Sequence, residues 1–301
     1  MKLHGVFPPL TTPFAPDGSL SLDRLRGNVT RYNSTGIAGY VVVGSTGESV
    51  LLRFEEVERV WAAVGESASP DKILIAGSGV DSTDETIRRT NRAAELGYHV
   101  ALVKTPYYYK PQMTPEALAE HYLRLADAAR IPILIYSVPQ FTGMAVEAPL
   151  VTRLAQHPNI IGIKESSGVI QRVGEIIHQA PKGFQTLVGS ASTFFPALAM
   201  GAVGGILAVA CFVPELCVEL YEAARAGDML RARALQQRLL QPAATIVARL
   251  GVPGVKYAMD QLGYYGGPSR RPFLPLSEAA KKEVDAALAG VASRVAAEGA
   301  R

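Results

Sequence analysis

Two apolar runs, IPILIYSVPQFTGM (131–144) and NIIGIKESSG (159–168), each carry one reactive side chain near their ends, Tyr136 and Lys164. A lysine shut into an apolar interior loses hydration, which favours its neutral, nucleophilic amine. Such an amine adds to a ketone, expels water and leaves an iminium that withdraws electrons from the neighbouring carbon. Both the dehydration and a later carbon–carbon cleavage need a group that gives and takes protons, and Tyr136 fits that task. The bland alternatives are a lysine that snorkels to solvent or pairs with Glu165, and a tyrosine that merely packs.

These two groups must be positioned by the elements that carry them. Eight short, nearly continuous apolar runs rich in Val, Ile and Leu recur along the chain: GVFPPLTT, GYVVVGS, KILIAGS, HVALVKT, PILIYSV, IIGIKES, FQTLVGS and GGILAVA. Strands buried on both faces read this way. Amphipathic stretches alternate with them, such as SLDRLRGNVTRYNSTG, with a serine N-cap candidate and a closing Gly36. TPEALAEHYLRLADAAR opens on Thr114 with Pro115 at the first helical position. Eight β-then-α units predict an α/β fold, a (β/α)8 TIM barrel over residues 1–213. The rest, 214–301, reads as a C-terminal helical subdomain packed on the barrel. A doubly wound open sheet competes, weakened because no GxGxxG follows the first strand.

Active sites of such barrels lie at the C-terminal ends of the strands. Those ends hold Thr11-Thr12, the turn from Gly44 to Glu48 (GSTGE), Thr105 to Tyr109 (TPYYY), Tyr136-Ser137, Lys164 to Ser167 and Gly189-Ser190. Ser45 and Tyr108 are candidates to relay protons to Tyr136. The glycine-flanked turn is suited to hold a carboxylate on backbone N–H groups, helped by the Thr46 hydroxyl; a plain βα turn is the alternative.

The bulk numbers exclude several classes. Hydrophobic residues make up 48% of the 301 and charged residues 19%, which describes a globular chain, not a disordered one. The net charge of +3 is small and its basic residues are scattered, so no nucleic-acid partner is expected. Cys211 and Cys217 match no zinc spacing and read as reduced core cysteines of a cytoplasmic protein. The N-terminus lacks the apolar core of a signal peptide. Residues 183–214 carry no charge and are long enough to span a bilayer, but their glycines, prolines and hydroxyls fit two short strands around a short helix, so no membrane span is expected.

GSTGES, TPYYY, YSVPQFTG, IIGIKESSG and LVGS, in this order, resemble the dihydrodipicolinate synthase and N-acetylneuraminate lyase family of pyruvate-dependent class I aldolases. The resemblance runs from about Gly5 into the C-terminal helices. It implies a (β/α)8 barrel, a homotetramer acting on pyruvate or another 2-keto acid, no organic cofactor and no required metal. Lys164 falls on the Schiff-base lysine and Tyr136 on the catalytic tyrosine. Ser45 and Thr46 fall on the hydroxyl pair that holds the keto-acid carboxylate. Tyr108 falls on the tyrosine that reaches a neighbouring subunit's site, and Gly189 and Ile206 on pocket-lining positions.

Two departures bear on the substrate. Where dihydrodipicolinate synthases carry an arginine before Thr-Gly, to bind the carboxylate of the aldehyde partner, this chain has Phe141; losing such a charge-assisted pair costs roughly 2–3 kcal/mol. The first hydroxyl of the pair is serine in place of threonine. Both features, with LGVPGVKYAMDQLGYYGGPSRRP, are similar to the 4-hydroxy-2-oxoglutarate aldolase branch. The expected reaction is therefore cleavage of 4-hydroxy-2-oxoglutarate to pyruvate and glyoxylate. Dihydrodipicolinate synthase, condensing pyruvate with aspartate semialdehyde, is the alternative, and a sugar-acid lyase comes third. A keto-acid-binding sensor is the non-enzymatic alternative. Arg270 and Arg271 read as solvated surface residues.

Overall fold

The computed structural model describes residues 1–298. Eight strands, β1 (Gly5–Phe7), β2 (Gly39–Val42), β3 (Ile73–Gly77), β4 (Val100–Lys104), β5 (Ile133–Ser137), β6 (Ile160–Glu165), β7 (Gln185–Val188) and β8 (Gly204–Ile206), form one parallel sheet with β1 beside β8. The sheet curls shut where Val41 accepts from Leu10 N at 2.9 Å and donates to Pro8 O at 3.1 Å. All eight expected runs become strands. Strands β4, β5 and β6 run on into their polar ends, Lys104, Tyr136-Ser137 and Lys164-Glu165, whereas the polar residues after the other strands lie in the βα loops.

The barrel interior is filled by Leu3, Phe7, Val41, Ile75, Val100, Leu102, Leu134, Leu187 and Ile206, one face of each strand at a spacing of two. The opposite faces pack against the helices in a second apolar layer, which continues into Leu235, Leu239 and Val284 of the later helices. Helix Pro115–Ala128 starts as its sequence predicts, with the Thr114 side chain accepting from Ala117 N at 3.2 Å. Helix Leu22–Tyr32 follows Ser21, but that hydroxyl makes no cap bond. The charge-free segment 183–214 folds into β7, a short helix Phe194–Ala199 and β8. No helix among the described residues is long and apolar enough to cross a membrane. Cys211 and Cys217 are free and buried, and burial raises both thiols above their usual range.

After β8 come helices Pro214–Arg225 and Met229–Pro242, a π-helical stretch Ala243–Arg249, helix Gly251–Gln261 and helix Glu278–Glu298. Arg270, between the last two, corrects the expectation of a solvated arginine; Arg271 is exposed as expected. The Arg270 guanidinium makes two 2.8 Å bonds to the Glu56 carboxylate and donates to Leu51 O and Gly18 O. Hydrogen bonding from Arg270 holds the Glu56 carboxyl down at about 2. A carboxyl depressed on folding gives stability that is present above its unfolded value, near 4.3, and is lost as pH falls toward the folded one. Arg270→Met is therefore expected to move the acid-unfolding midpoint, followed by circular dichroism, to higher pH.

Candidate active site

Parallel pairing of β5 with β6 sets Tyr136 beside Lys164 in register, so both side chains leave the same face of the sheet and point into the barrel mouth. Lys164 Nζ lies 4.2 Å from the centre of the Tyr136 ring, and both residues are only 5% exposed. Among the described residues Lys164 makes no ion pair. Glu165 points the other way and caps its own turn, accepting from Ser167 N at 3.1 Å. Burial raises the Glu165 carboxyl above its usual range. The snorkelling and Glu165-pairing alternatives for Lys164 are both absent from the fold.

Ser45 Oγ lies 3.3 Å from Tyr136 Oη, the link expected of a proton relay. The turn carrying Ser45 and Thr46 is held under strain at both ends. Val43 and Glu48, its flanking residues, have φ of 62° and 58°, the left-handed region that a β-branched valine rarely enters. Each such residue costs on the order of 1–3 kcal/mol and persists only where its surroundings over-determine it. At one end Gly77 lets β3 approach closely, since a Cβ there would sit 2.1 Å from Val43 O. Within the turn, the N–H groups of Gly47 and Glu48 bond to Gly44 O and Ser45 O. Among the described residues the N–H groups of Ser45 and Thr46 have no such partner.

The other end is fastened by residues whose role the sequence did not reveal. Glu48 is fully buried and its Oε1 pairs with Lys256 Nζ at 2.6 Å, while Oε2 accepts from Arg270 N at 2.8 Å. Lys256 also donates to Thr12 O and Pro268 O, each at 2.8 Å. Burial pushes the Lys256 ammonium below its usual range, and Glu48 pulls against that shift. Thr12 Oγ1 in turn donates to Gly47 O at 2.6 Å. The only sequence trace of this clamp is a lysine on the otherwise apolar helix segment VPGVKYAM.

Lys164, Tyr136, Ser45, Thr46, Gly189, Ile206 and Phe141 all line one cleft of about 680 Å³ between the barrel mouth and the π-helical stretch. Gly189 is required by contact: a Cβ there would fall 1.8 Å from Ser166 Oγ and 3.0 Å from Lys164 Cε. That Ser166 hydroxyl is buried in the cleft wall with no partner among the described residues. Phe141, on the short helix Pro139–Thr142, stands 66% exposed at the rim. The outer wall is apolar, built from Ala244, Val247, Ala248, Val252 and Val255. Tyr108 is the one candidate not brought to the cleft within a single chain. It is 75% exposed and stacks edge-on against Tyr109.

A parallel barrel carries a buried lysine beside a phenol at its C-terminal mouth, the arrangement that lyase chemistry through an amine requires. The family model described as the dihydrodipicolinate synthetase family matches residues 2–290. This chain belongs to that family and is a carbon–carbon lyase of the class I aldolase type. It is 39% identical over 276 residues to the 4-hydroxy-tetrahydrodipicolinate synthase of Methanothrix thermoacetophila, covering 91% of this chain and 92% of that one. The corresponding enzyme of Methanoculleus marisnigri is 38% identical, covering 93% and 97%. Among solved structures, a dihydrodipicolinate synthase from Acinetobacter baumannii complexed with pyruvate superposes with a TM-score of 0.92 at 31% identity, over 96% of this chain and 99% of that one. YagE from E. coli K12, a family member also in complex with pyruvate, gives 0.89 at 28% identity, over 95% and 97%.

Proposed function

We propose that the protein joins pyruvate to an aldehyde, or splits a 4-hydroxy-2-oxo acid, through a Schiff base on Lys164. The observation that carries this reading is the Lys164–Tyr136–Ser45 arrangement, an unpaired buried amine against a phenol that is itself linked to a hydroxyl. Lys164 Nζ adds to C2 of the keto acid, and the carbonyl oxygen leaves as water after taking protons supplied through Tyr136. Ser45 and Thr46 hold the C1 carboxylate on their free N–H groups and hydroxyls. In the cleavage direction Tyr136 takes the C4 hydroxyl proton, the C3–C4 pair flows into the iminium, and the aldehyde departs. Protonation and hydrolysis of the enamine return pyruvate and the free amine.

Two readings of the aldehyde each have a specific support. The names of the relatives, aligned over more than nine-tenths of the chain, support 4-hydroxy-tetrahydrodipicolinate synthase, with aspartate semialdehyde as partner. The cleft supports 4-hydroxy-2-oxoglutarate. Lys164 is the one cationic residue lining it, and Phe141 stands at the rim where an arginine would bind a distant carboxylate. The carboxylate of glyoxylate sits next to the reacting carbon, within reach of the hydroxyls of Ser166, Ser167 and Ser190 that line the inner cleft. Purified protein assayed with both substrate pairs separates the readings. Condensation with the semialdehyde and no cleavage of the hydroxy-oxoglutarate selects the first; the converse selects the second. Turnover of neither, with hydroxylated sugar acids cleaved instead, selects a sugar-acid lyase.

Tyr136→Phe removes only the hydroxyl and keeps the ring in its packing. It is expected to slow pyruvate adduct formation by about 10²–10⁴-fold, with an unchanged melting temperature. We further propose that copies of the chain assemble as a tetramer, with Tyr108 of one copy completing the relay of the next. Sedimentation analysis of the wild type against Tyr108→Ala, with activity measured on both, checks this.

A further inference from the structure

The pairing that places Tyr136 beside Lys164 also places a second lysine on its other side. Lys104, the last residue of β4, is the register partner of Tyr136, just as Lys164 is on β6. Its strand neighbours Val100 and Leu102 fill the barrel interior, so the alternation of the strand turns Lys104 inward too. It lines a narrow cavity with Ser45, Ser49, Gly79 and Tyr136, two of which, Ser45 and Tyr136, also line the substrate cleft. The Gly79 carbonyl accepts a hydrogen bond from the ammonium and fixes its place.

We propose that Lys104 is a positioning residue of the pyruvate chemistry, its ammonium stabilising the Tyr136 phenolate. The inference rests on the Schiff-base reading above. In the step concerned, the phenolate takes a proton from C3 of the protonated ketimine. The C3–H pair becomes the C2–C3 double bond of the enamine, and the C2–N π pair returns to nitrogen. The phenolate that begins this step forms at the strand position paired with Lys104 and shares a cavity wall with it, and a positive charge nearby lowers the cost of forming an anion.

Burial holds the Lys104 ammonium at about 8, well below the usual lysine value, so its charge is lost within an accessible pH range. The groups facing it are Asp81 after β3, which raises that value, and Arg89 of helix Thr83–Glu95, which lowers it. Arg89 is itself paired with Glu85 at 2.7 Å. The Tyr107 ring lies 5.9 Å from the ammonium, and Asp81 accepts from the N–H groups of Tyr107 and Tyr108.

The test uses pyruvate alone, so it does not depend on the aldehyde. Exchange of the pyruvate methyl protons in D2O is followed by NMR across pH 6–10, about two units either side of the neutralisation of Lys104, beside borohydride trapping and intact mass. The wild type is expected to lose exchange activity above the pH where Lys104 loses its proton. Lys104→Met is expected to trap pyruvate fully yet exchange about tenfold more slowly at neutral pH, with no alkaline fall. Lys104→Arg, which stays charged, is expected to keep the neutral rate and also lose the fall. A Lys104→Met protein with the wild-type rate and pH profile overturns the inference alone. So does an equal loss in both variants with the profile unchanged, which marks a packing role. A wild type that gives no adduct at all overturns the Schiff-base reading and this inference together.

Discussion

Lys164→Ala is expected to abolish the pyruvate adduct and to lower turnover by about 10⁴-fold or more, while leaving the protein folded. The loss of activity follows from chemistry: alanine has no nucleophile, and no other lysine lines the cleft. The retained stability follows from geometry. Lys164 makes no ion pair among the described residues, so its removal strands no buried carboxylate, and the space it vacates opens onto the cleft. A change in unfolding free energy within about 1 kcal/mol is expected from urea titration. Borohydride trapping followed by intact mass reads the other half of the prediction. An adduct that survives this substitution would show that a different amine attacks the ketone. The same experiment separates an enzyme from a keto-acid sensor, since a binder forms no covalent adduct even with Lys164 present.

The opposite outcome is expected at Lys256, another buried lysine. Lys256→Met leaves the Glu48 carboxylate, fully buried, without its cation. Breaking one side of a buried pair costs about 3–5 kcal/mol, because the remaining charge is uncompensated. The damage should also reach the substrate. Glu48 sits in a left-handed conformation at the end of the turn that presents Ser45 and Thr46, and the pair with Lys256 is what over-determines it. The variant is therefore expected to be less stable in urea and to saturate with pyruvate only at higher concentration. The double variant Glu48→Gln, Lys256→Met removes both charges and should recover part of the stability. It should not recover pyruvate affinity, since the clamp between the helix Gly251–Gln261 and the turn is still missing. Recovery of both would mean that charge burial alone, and not the clamp, explains the single variant.

Local sequence fixed the number and order of the strands, because each run is apolar on both faces and bounded by turn residues. It also placed Lys164 and Tyr136 near the ends of such runs, where a parallel barrel gathers its chemistry. What it did not contain was register. Only the pairing of β4, β5 and β6 decides that Lys104, Tyr136 and Lys164 stand in one row and share one face. Nor did it contain the partnership of Glu48 with Lys256 and Arg270, separated by more than two hundred residues and joined only when the later helices fold back over the barrel mouth. Arg270 read as a solvated arginine because arginines in a loop normally are; tertiary structure turned it into the partner of Glu56. Hydrophobic periodicity is a local signal and specifies elements and their faces. Contacts between charged groups far apart in the chain depend on how those elements pack.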